Sequence, residues 1–176
     1  MKLLRVINSL AVGGAERSIV NNVPIHIANG LEMDVLLLDG RQTFFLEELQ
    51  RRNVKVAWLG RNISVYNPML VFKLLPVLKK YDVIHVHLFP AFYWVAFAKV
   101  LSRSRAKLIC TEHNTHNRRR GNPVYRWFDR FVYSQYSAII AISDAAKLGL
   151  DRQTGTPGKS VVIPNGVQIA ELRESS

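Results

Sequence analysis

Residues 3–17, LLRVINSLAVGGAER, join a short apolar run to a helical pattern through two adjacent glycines. The run LLRVI is typical of a buried β-strand, and the residues from Glu16 onward repeat apolar side chains at helical spacing. Glycine weakens either element by about 0.5–1 kcal/mol relative to alanine, so Gly13 and Gly14 indicate a backbone that another molecule must approach. A strand, a glycine turn and a helix in this order predict the start of a Rossmann-like fold.

The same alternation of strands and helices continues to the end of the chain. Six more apolar runs follow, each separated from the next by a helical pattern: MDVLLL, VKVAWL, DVIHVH, AKLICT, SAIIAI and SVVIP. Seven such strands predict an α/β fold with a parallel sheet covered on both faces. Right-handed crossovers make a doubly wound, Rossmann-like sheet the economical topology. We expect Pro24 and Pro76 to kink their helices or to end a first turn.

Length and composition restrict the class of protein. A chain of 176 residues with 48% hydrophobic residues can form one domain with a core, which excludes a disordered or collagen-like protein. The formal net charge of +11 predicts an anionic partner: nucleic acid, an anionic lipid surface or a phosphorylated small molecule. Cys110 is the only cysteine, which rules out an internal disulfide and fits a reducing cytoplasm. We expect it to be a buried apolar side chain.

Two apolar segments could be mistaken for membrane or targeting signals. The N-terminal segment has the composition of a secretion signal, but Arg5 and Asn8 interrupt it and favour a buried strand. The longest apolar stretch, LFPAFYWVAFA, is shorter than the roughly 20 residues that a membrane-spanning helix requires. We therefore expect a core or interfacial helix there.

The loops after the first, fourth and fifth strands carry the richest chemistry. In a doubly wound sheet, ligands bind at the carboxyl ends of the strands where the strand order reverses. The helix that follows Gly13 and Gly14 presents unpaired N–H groups and a positive dipole end, which attract phosphate. We predict a phosphate site at this turn, although its spacing is not GxGxxG.

Histidines lie in the fourth strand and after the fifth strand. His85 and His87 lie on one face of the fourth strand, and we expect His85 to be a core histidine and His87 to face a ligand. No further ligands at suitable spacing accompany the pair, so we predict no metal site. His113, after the fifth strand, can donate to a sugar hydroxyl or carry a proton near neutral pH. The run Arg118–Arg120 suits contact with an anion, to which at most two of the three can point.

Two other functions agree with parts of the sequence. Basic and aromatic residues alternate in RRRGNPVYRWFDR, as in modules that hold phosphates and stack bases of nucleic acids. Asp39 ends the second strand, where a dinucleotide-binding fold places its ribose-binding acid. The first alternative lacks a recognised nucleic-acid motif, and the second lacks the third glycine of the NAD fingerprint.

Five segments together resemble the amino-terminal half of a GT-B glycosyltransferase of the retaining family 4: VGGAER, DVIHVHLF, CTEHN, AIIAISDAAK and VVIPNGV. The resemblance rests on their order and spacing. It implies two Rossmann-like domains facing each other across a cleft, the first mainly for the acceptor and the second for the nucleotide-sugar donor. Residues 1–164 would form the first domain and residues 165–176 would begin the interdomain linker. The donor-binding C-terminal domain would be absent, and we expect this chain alone not to transfer sugar.

The resemblance also implies roles for individual residues. His113 would be the catalytic residue against the transferred sugar, and Gly13 and Gly14 would approach the donor diphosphate. The acceptor side would be lined by Glu16, Arg17, His87, Asn114, Arg118, Arg119 and Arg120. The reaction would need no metal and no cofactor beyond the nucleotide diphosphate sugar as donor substrate. We expect a cytoplasmic enzyme of envelope polysaccharide or glycoconjugate synthesis, acting on a saccharide or lipid-linked acceptor and peripheral on an anionic membrane.

Overall fold

The structure, a computed structural model, describes residues 1–113, 123–155 and 157–164. Seven strands alternate with helices in this part of the chain. The strands are β1 (Lys2–Ile7), β2 (Glu32–Leu37), β3 (Val56–Trp58), β4 (Val83–His87), β5 (Lys107–Glu112), β6 (Ala138–Ala141) and β7 (Ser160–Val162). The helices are α1 (Gly14–Ala28), α2 (Phe44–Arg51), α3 (Leu70–Leu78), α4 (Ala91–Ser102), α5 (Pro123–Ser134) and α6 (Asp144–Thr154). Each of the seven predicted strands is present.

The strands form one parallel sheet with the order β3-β2-β1-β4-β5-β6-β7. The chain begins at the centre of the sheet, runs to one edge, and returns through α3 to build the other half. In the central pairs, Arg5 of β1 lies opposite Val35 on one side and opposite His85 on the other. The strand order therefore reverses between β1 and β4, and the predicted doubly wound, Rossmann-like topology is confirmed.

Two apolar cores cover the two faces of this sheet. On one face, α1 and α2 pack against β1, β2 and β3, with Ile19 and Val23 of α1 fully buried. On the other face, the remaining helices cover the strands, and Leu74 and Phe92 are among their buried side chains. Successive residues of a strand face opposite sides of the sheet, so Leu4 enters the second core while Arg5 turns toward α1.

The two segments that resembled targeting signals are parts of the core. Residues Lys2–Ile7 form β1, an inner strand that is paired on both sides, as the strand interpretation predicted. The apolar stretch contributes α4, whose Ala91, Phe92 and Val95 are buried. Among the described residues, none of the helices combines the length and apolarity needed to cross a bilayer.

Cys110 is fully buried in β5. Burial raises the pKa of its thiol well above the usual value, and the nearby Glu112 adds to this effect. The thiol therefore stays protonated, and Cys110 packs as the small apolar side chain that we expected.

Neither proline lies in a first turn: Pro24 is inside α1 and Pro76 is inside α3. A proline leaves the carbonyl four residues earlier without its helical donor. At Pro24 this carbonyl belongs to Val20, and the Nη1 of Arg52 lies 3.5 Å from its oxygen. A side chain of the α2 C-terminus thus compensates in part for the missing helical hydrogen bond.

Candidate functional site

The loops after β1 and β4 meet at the carboxyl edge of the sheet. Asn8 follows β1, and its Nδ2 donates to the carbonyl of Phe89 at 2.7 Å. Leu88 has a φ of 65°, in the left-handed region that residues other than glycine rarely adopt. Backbone strain of this kind costs about 1–3 kcal/mol and clusters at functional sites. The edge predicted from the strand order is thus also a place where the fold retains strain.

The two glycines of the first turn serve different purposes. Gly13 is the N-cap of α1 in an extended conformation, and a Cβ there would lie 2.3 Å from Oε2 of Glu16. Its missing side chain leaves room for the Glu16 carboxylate, which is stabilised by the positive end of the helix. A Cβ at Gly14 would meet nothing within 4 Å. Packing within the described residues therefore does not require glycine at position 14, and open space lies beside the first turn.

Three histidines lie on the sheet face turned toward α1. Nε2 of His85 is 2.7 Å from Oγ1 of Thr111, so the predicted core role of His85 is confirmed. The ring of His87 stacks on that of His85, with ring centroids 4.4 Å apart. Nδ1 of His87 lies 3.2 Å from Nε2 of His113, and Nε2 of His87 lies 3.1 Å from Nη1 of Arg5.

Burial and mutual repulsion determine the charges of this cluster. Burial lowers the pKa of His87 well below the usual value, and His85 and Arg5 lower it further. Burial also lowers the pKa of His113, with a second contribution from Arg5. The pKa of Arg5 is lowered by burial to about 10, so Arg5 stays charged at pH 7. Near neutral pH, the imidazoles of His87 and His113 are therefore neutral, and the guanidinium of Arg5 is charged.

A cavity of about 280 Å³ opens over these side chains. It is lined by Arg5, Ser18, Asn22, His26, His85, His87, Thr111, His113, Ile140, Ile163 and Pro164. Its described walls contain no carboxylate, while they offer hydroxyl, amide and imidazole groups around a positive charge. Such walls suit a hydroxyl-rich or anionic ligand.

The predicted acceptor residues do not all meet at this cavity. Arg17 lines a separate cavity of about 510 Å³ between α1 and α2, beside Arg51 and Arg52. Glu16 lies at the glycine turn instead. The positions Asn114, Arg118, Arg119 and Arg120 lie outside the described residues, so their predicted roles remain predictions.

His87 is placed at the predicted strand end but not on the surface. His87 is only 2% exposed, and its two ring nitrogens contact Arg5 and His113. In this geometry no ring nitrogen is left for an acceptor. Direct contact between His87 and an acceptor stays a prediction, and the contacts favour a supporting position beneath His113.

The residue on which the NAD alternative depends is engaged elsewhere. Asp39 is fully buried, and its Oδ2 accepts from Nε of Arg41 at 2.5 Å. A carboxylate held in this way does not face a ribose. For the nucleic-acid alternative, Arg118–Arg120 lie outside the described residues, while Trp127 on α5 is 67% exposed.

No group of three or more histidine, cysteine or acidic side chains suited to a metal occurs within residues 1–113, 123–155 and 157–164. The prediction that the reaction needs no metal is not tested by this observation.

Sequence reasoning missed Arg5 as a functional candidate. We read it only as an interruption of an apolar run, yet its guanidinium contacts the histidine cluster. The Nε of Arg5 is buried without a hydrogen-bond partner among the described residues. A charged residue in the middle of a central strand is rarely buried without a reason, and that rule was the available signal.

The sequence model of Glycosyltransferase Family 4 matches residues 12–171 of the chain. A comparison with curated proteins found no match. Among solved structures, Anabaena HepE in complex with UDP superposes with a TM-score of 0.73 at 21% identity, over 99% of this chain and 50% of that chain. A glycosyltransferase from Rickettsia africae gives a TM-score of 0.74 at 16% identity, over 99% and 46%.

The apo form of the lipopolysaccharide outer core galactosyltransferase WaaB gives a TM-score of 0.68 at 15% identity, over 96% of this chain and 47% of that chain. The chain thus spans about half the length of each of these three proteins. At these identities the superpositions show a shared fold, that of an N-terminal GT-B domain. The family match covers most of the sequence, and the chain therefore belongs to glycosyltransferase family 4.

Proposed function

We propose that this chain forms the acceptor-side half of a retaining glycosyltransferase that moves a sugar from a nucleotide-sugar donor to a saccharide or lipid-linked acceptor. The observation that carries the proposal is the position of His113, which lines a polar cavity on the sheet face turned toward α1, at the carboxyl ends of β4 and β5. The family match and the UDP bound to HepE support a nucleotide-sugar donor.

In the proposed reaction, the bond from the sugar carbon to the diphosphate breaks and the acceptor hydroxyl oxygen bonds to the same carbon with retained configuration. The hydroxyl proton passes to the departing diphosphate. The departing diphosphate gathers negative charge, which preorganised backbone N–H groups stabilise strongly. The first turn of α1 supplies such N–H groups, and the open space beside Gly14 lets a diphosphate approach them. His113 contacts the transferred sugar from the cavity that it lines.

The same proposal implies a second domain. A Rossmann-like half positions acceptor and catalytic groups, whereas donor affinity depends on groups that face it across a cleft. We propose that residues 1–164 make the first domain and that residues 165–176 begin the linker to the donor-binding domain.

The isolated chain should therefore fold but not transfer sugar. Incubated with a panel of nucleotide sugars and with saccharide and lipid-linked acceptors, it should give no product by mass spectrometry. Circular dichroism of the same sample confirms that the domain is folded. Transfer by this chain alone would contradict the division of labour between two domains.

We further propose a cytoplasmic, peripheral location on an anionic membrane, with an acceptor from envelope synthesis. WaaB, a lipopolysaccharide galactosyltransferase of the same fold, supports this class of acceptor. Arg51, Arg52, Lys79 and Lys80 are exposed at the ends of α2 and α3. These helix ends precede the amino ends of β3 and β4. Membrane contact there would leave the edge with His113 uncovered.

Binding to vesicles should depend on salt and on lipid charge. Each basic residue near an anionic leaflet contributes about 1 kcal/mol, and salt screens this attraction. Sedimentation with phosphatidylserine vesicles should fall steeply as salt rises, and Lys79→Glu with Lys80→Glu should weaken it further. Equal binding to neutral phosphatidylcholine vesicles would refute electrostatic attachment.

A further inference from the structure

Three side chains from separate elements form a continuous polar chain beneath the cavity. Nη1 of Arg5, on β1, lies 3.1 Å from Nε2 of His87, at the end of β4. Nδ1 of the same His87 lies 3.2 Å from Nε2 of His113, which directly follows β5. The backbone of the sheet fixes all three positions, because β1 pairs with β4 and β4 pairs with β5.

The chemistry of arginine determines which atom donates in each of these two hydrogen bonds. A guanidinium has five N–H donors and no acceptor, so Arg5 must donate and Nε2 of His87 must accept. A neutral imidazole carries one proton, which in His87 is then on Nδ1. Nδ1–H of His87 donates to Nε2 of His113, so the proton of a neutral His113 must lie on its Nδ1.

We propose that Arg5 and His87 are positioning residues that hold His113 as the neutral Nδ1–H tautomer. His113 then presents a hydrogen-bond donor to its ligand, either a sugar hydroxyl oxygen or a phosphate oxygen. Its Nε2 is occupied by His87 and does not act as a general base. The assignment of this donor to a transferred sugar rests on the proposed function, whereas the tautomer itself rests only on the contacts.

The groups around Arg5, His87 and His113 also favour the neutral Nδ1–H tautomer of His113. A proton on Nε2 of His113 would face the Nδ1–H of His87 at the distance of a hydrogen bond, with two donors opposed. The groups around the imidazoles are Arg5 from β1, His26 from α1 and His85 from β4. The neighbouring carboxylate, Glu112, accepts from the hydroxyl of Tyr133 in the opposite core. Burial and Arg5 lower the pKa of His113, in agreement with a neutral ring.

The tautomer is measured directly by long-range ¹H–¹⁵N NMR on the ¹⁵N-histidine-labelled chain at pH 7. Nitrogens with and without a proton have widely separated ¹⁵N shifts, and the coupling pattern identifies Nδ1 and Nε2. His113, assigned by the loss of its signals in His113→Gln, should show a protonated Nδ1 and a bare Nε2. A protonated Nε2 would overturn the proposal.

Variants of Arg5 separate positioning from mere folding. Arg5→Met removes the donor, and the ratio of Nδ1–H to Nε2–H at His113 should fall by about tenfold or more, since hydrogen bonds to charged groups are the stronger ones. Arg5→Lys keeps a donor and should restore most of the wild-type ratio. His26 lines the same cavity but does not take part in the hydrogen bonds that join Arg5, His87 and His113. His26→Gln should therefore leave the ratio at His113 unchanged.

A fold check accompanies each spectrum, because the amide resonances of the central strands report whether the sheet is intact. An unchanged tautomer in a folded Arg5→Met protein would refute the positioning role. None of these measurements involves a sugar donor or a product. The tautomer assignment can therefore fail while the glycosyltransferase proposal stands, or stand while that proposal fails.

Discussion

His113→Ala should reduce the turnover of the enzyme that contains this chain by on the order of a hundredfold or more under saturating donor. His113 lines the cavity at the carboxyl edge of the sheet, and in the proposed tautomer its Nδ1–H points away from the contact with His87. A donor to a phosphate oxygen of the departing diphosphate gains strength as negative charge develops there, and each 1.36 kcal/mol of lost stabilisation changes the rate tenfold. If His113 met only a neutral hydroxyl with no charge change, the loss would be about tenfold.

The matched control for this experiment is His116→Ala. His116 lies outside the described residues. It stands in the polar segment TEHNTHNRRRG, which favours a solvated loop residue, so we expect its loss to change turnover little. Both variants need full-length protein with donor binding measured separately, so that a change in kcat is distinguished from a change in KM. Near-normal turnover of His113→Ala, or a larger loss in His116→Ala, would show that the catalytic edge is misplaced.

Phe92→Ala should lower the free energy of unfolding of the chain by about 3–5 kcal/mol, the usual effect of truncating a buried aromatic side chain. Phe92 is 2% exposed on α4. Its ring packs against those of Tyr133 and Tyr136, with centroid distances of 6.2 and 6.3 Å. No single neighbour can fill the resulting space, because the surrounding positions are held by the sheet and by α5.

The control for Phe92 is Phe72→Ala on α3, where the side chain is 57% exposed. Surface substitutions of this kind change stability by about 0.5 kcal/mol or less. Urea denaturation followed by circular dichroism gives both values from the shift in midpoint at constant slope. Equal destabilisation by the two variants would mean that Phe92 is not part of a tightly packed core.

Local sequence patterns were enough to predict the seven strands, because each strand is a short apolar run that a helical pattern separates from the next. The segment SDAAK also indicates a helix start, because serine is a preferred N-cap residue, and the side chain of Ser143 accepts from the amide of Ala146 at 3.2 Å. Alternation along a strand put His85 and His87 on one face, which the structure confirms. These features depend on contacts between residues close in sequence, so the sequence reveals them directly.

The partners of each polar side chain could not be predicted in this way. Arg5 and His87 are 82 positions apart, and Arg5 contacts the histidines only because β1 and β4 are neighbours in the sheet. The expected place of Arg17 on the acceptor side depended on the rotation of α1, and the structure places Arg17 at the cavity between α1 and α2. Helix rotation is set by the packing of Ile19 and Val23, which no local pattern specifies to within one residue.

The sequence by itself determined the alternation of strands and helices, the doubly wound class and the edge of the sheet that carries His113. Periodicity and turn chemistry are local, and parallel strands leave few right-handed topologies. Only the tertiary structure decided that Arg5 lies against Nε2 of His87 and that Nδ1 of His87 lies against Nε2 of His113. A proton's place on an imidazole depends on donors within about 3 Å, and the sheet register alone brings those donors together from distant parts of the chain.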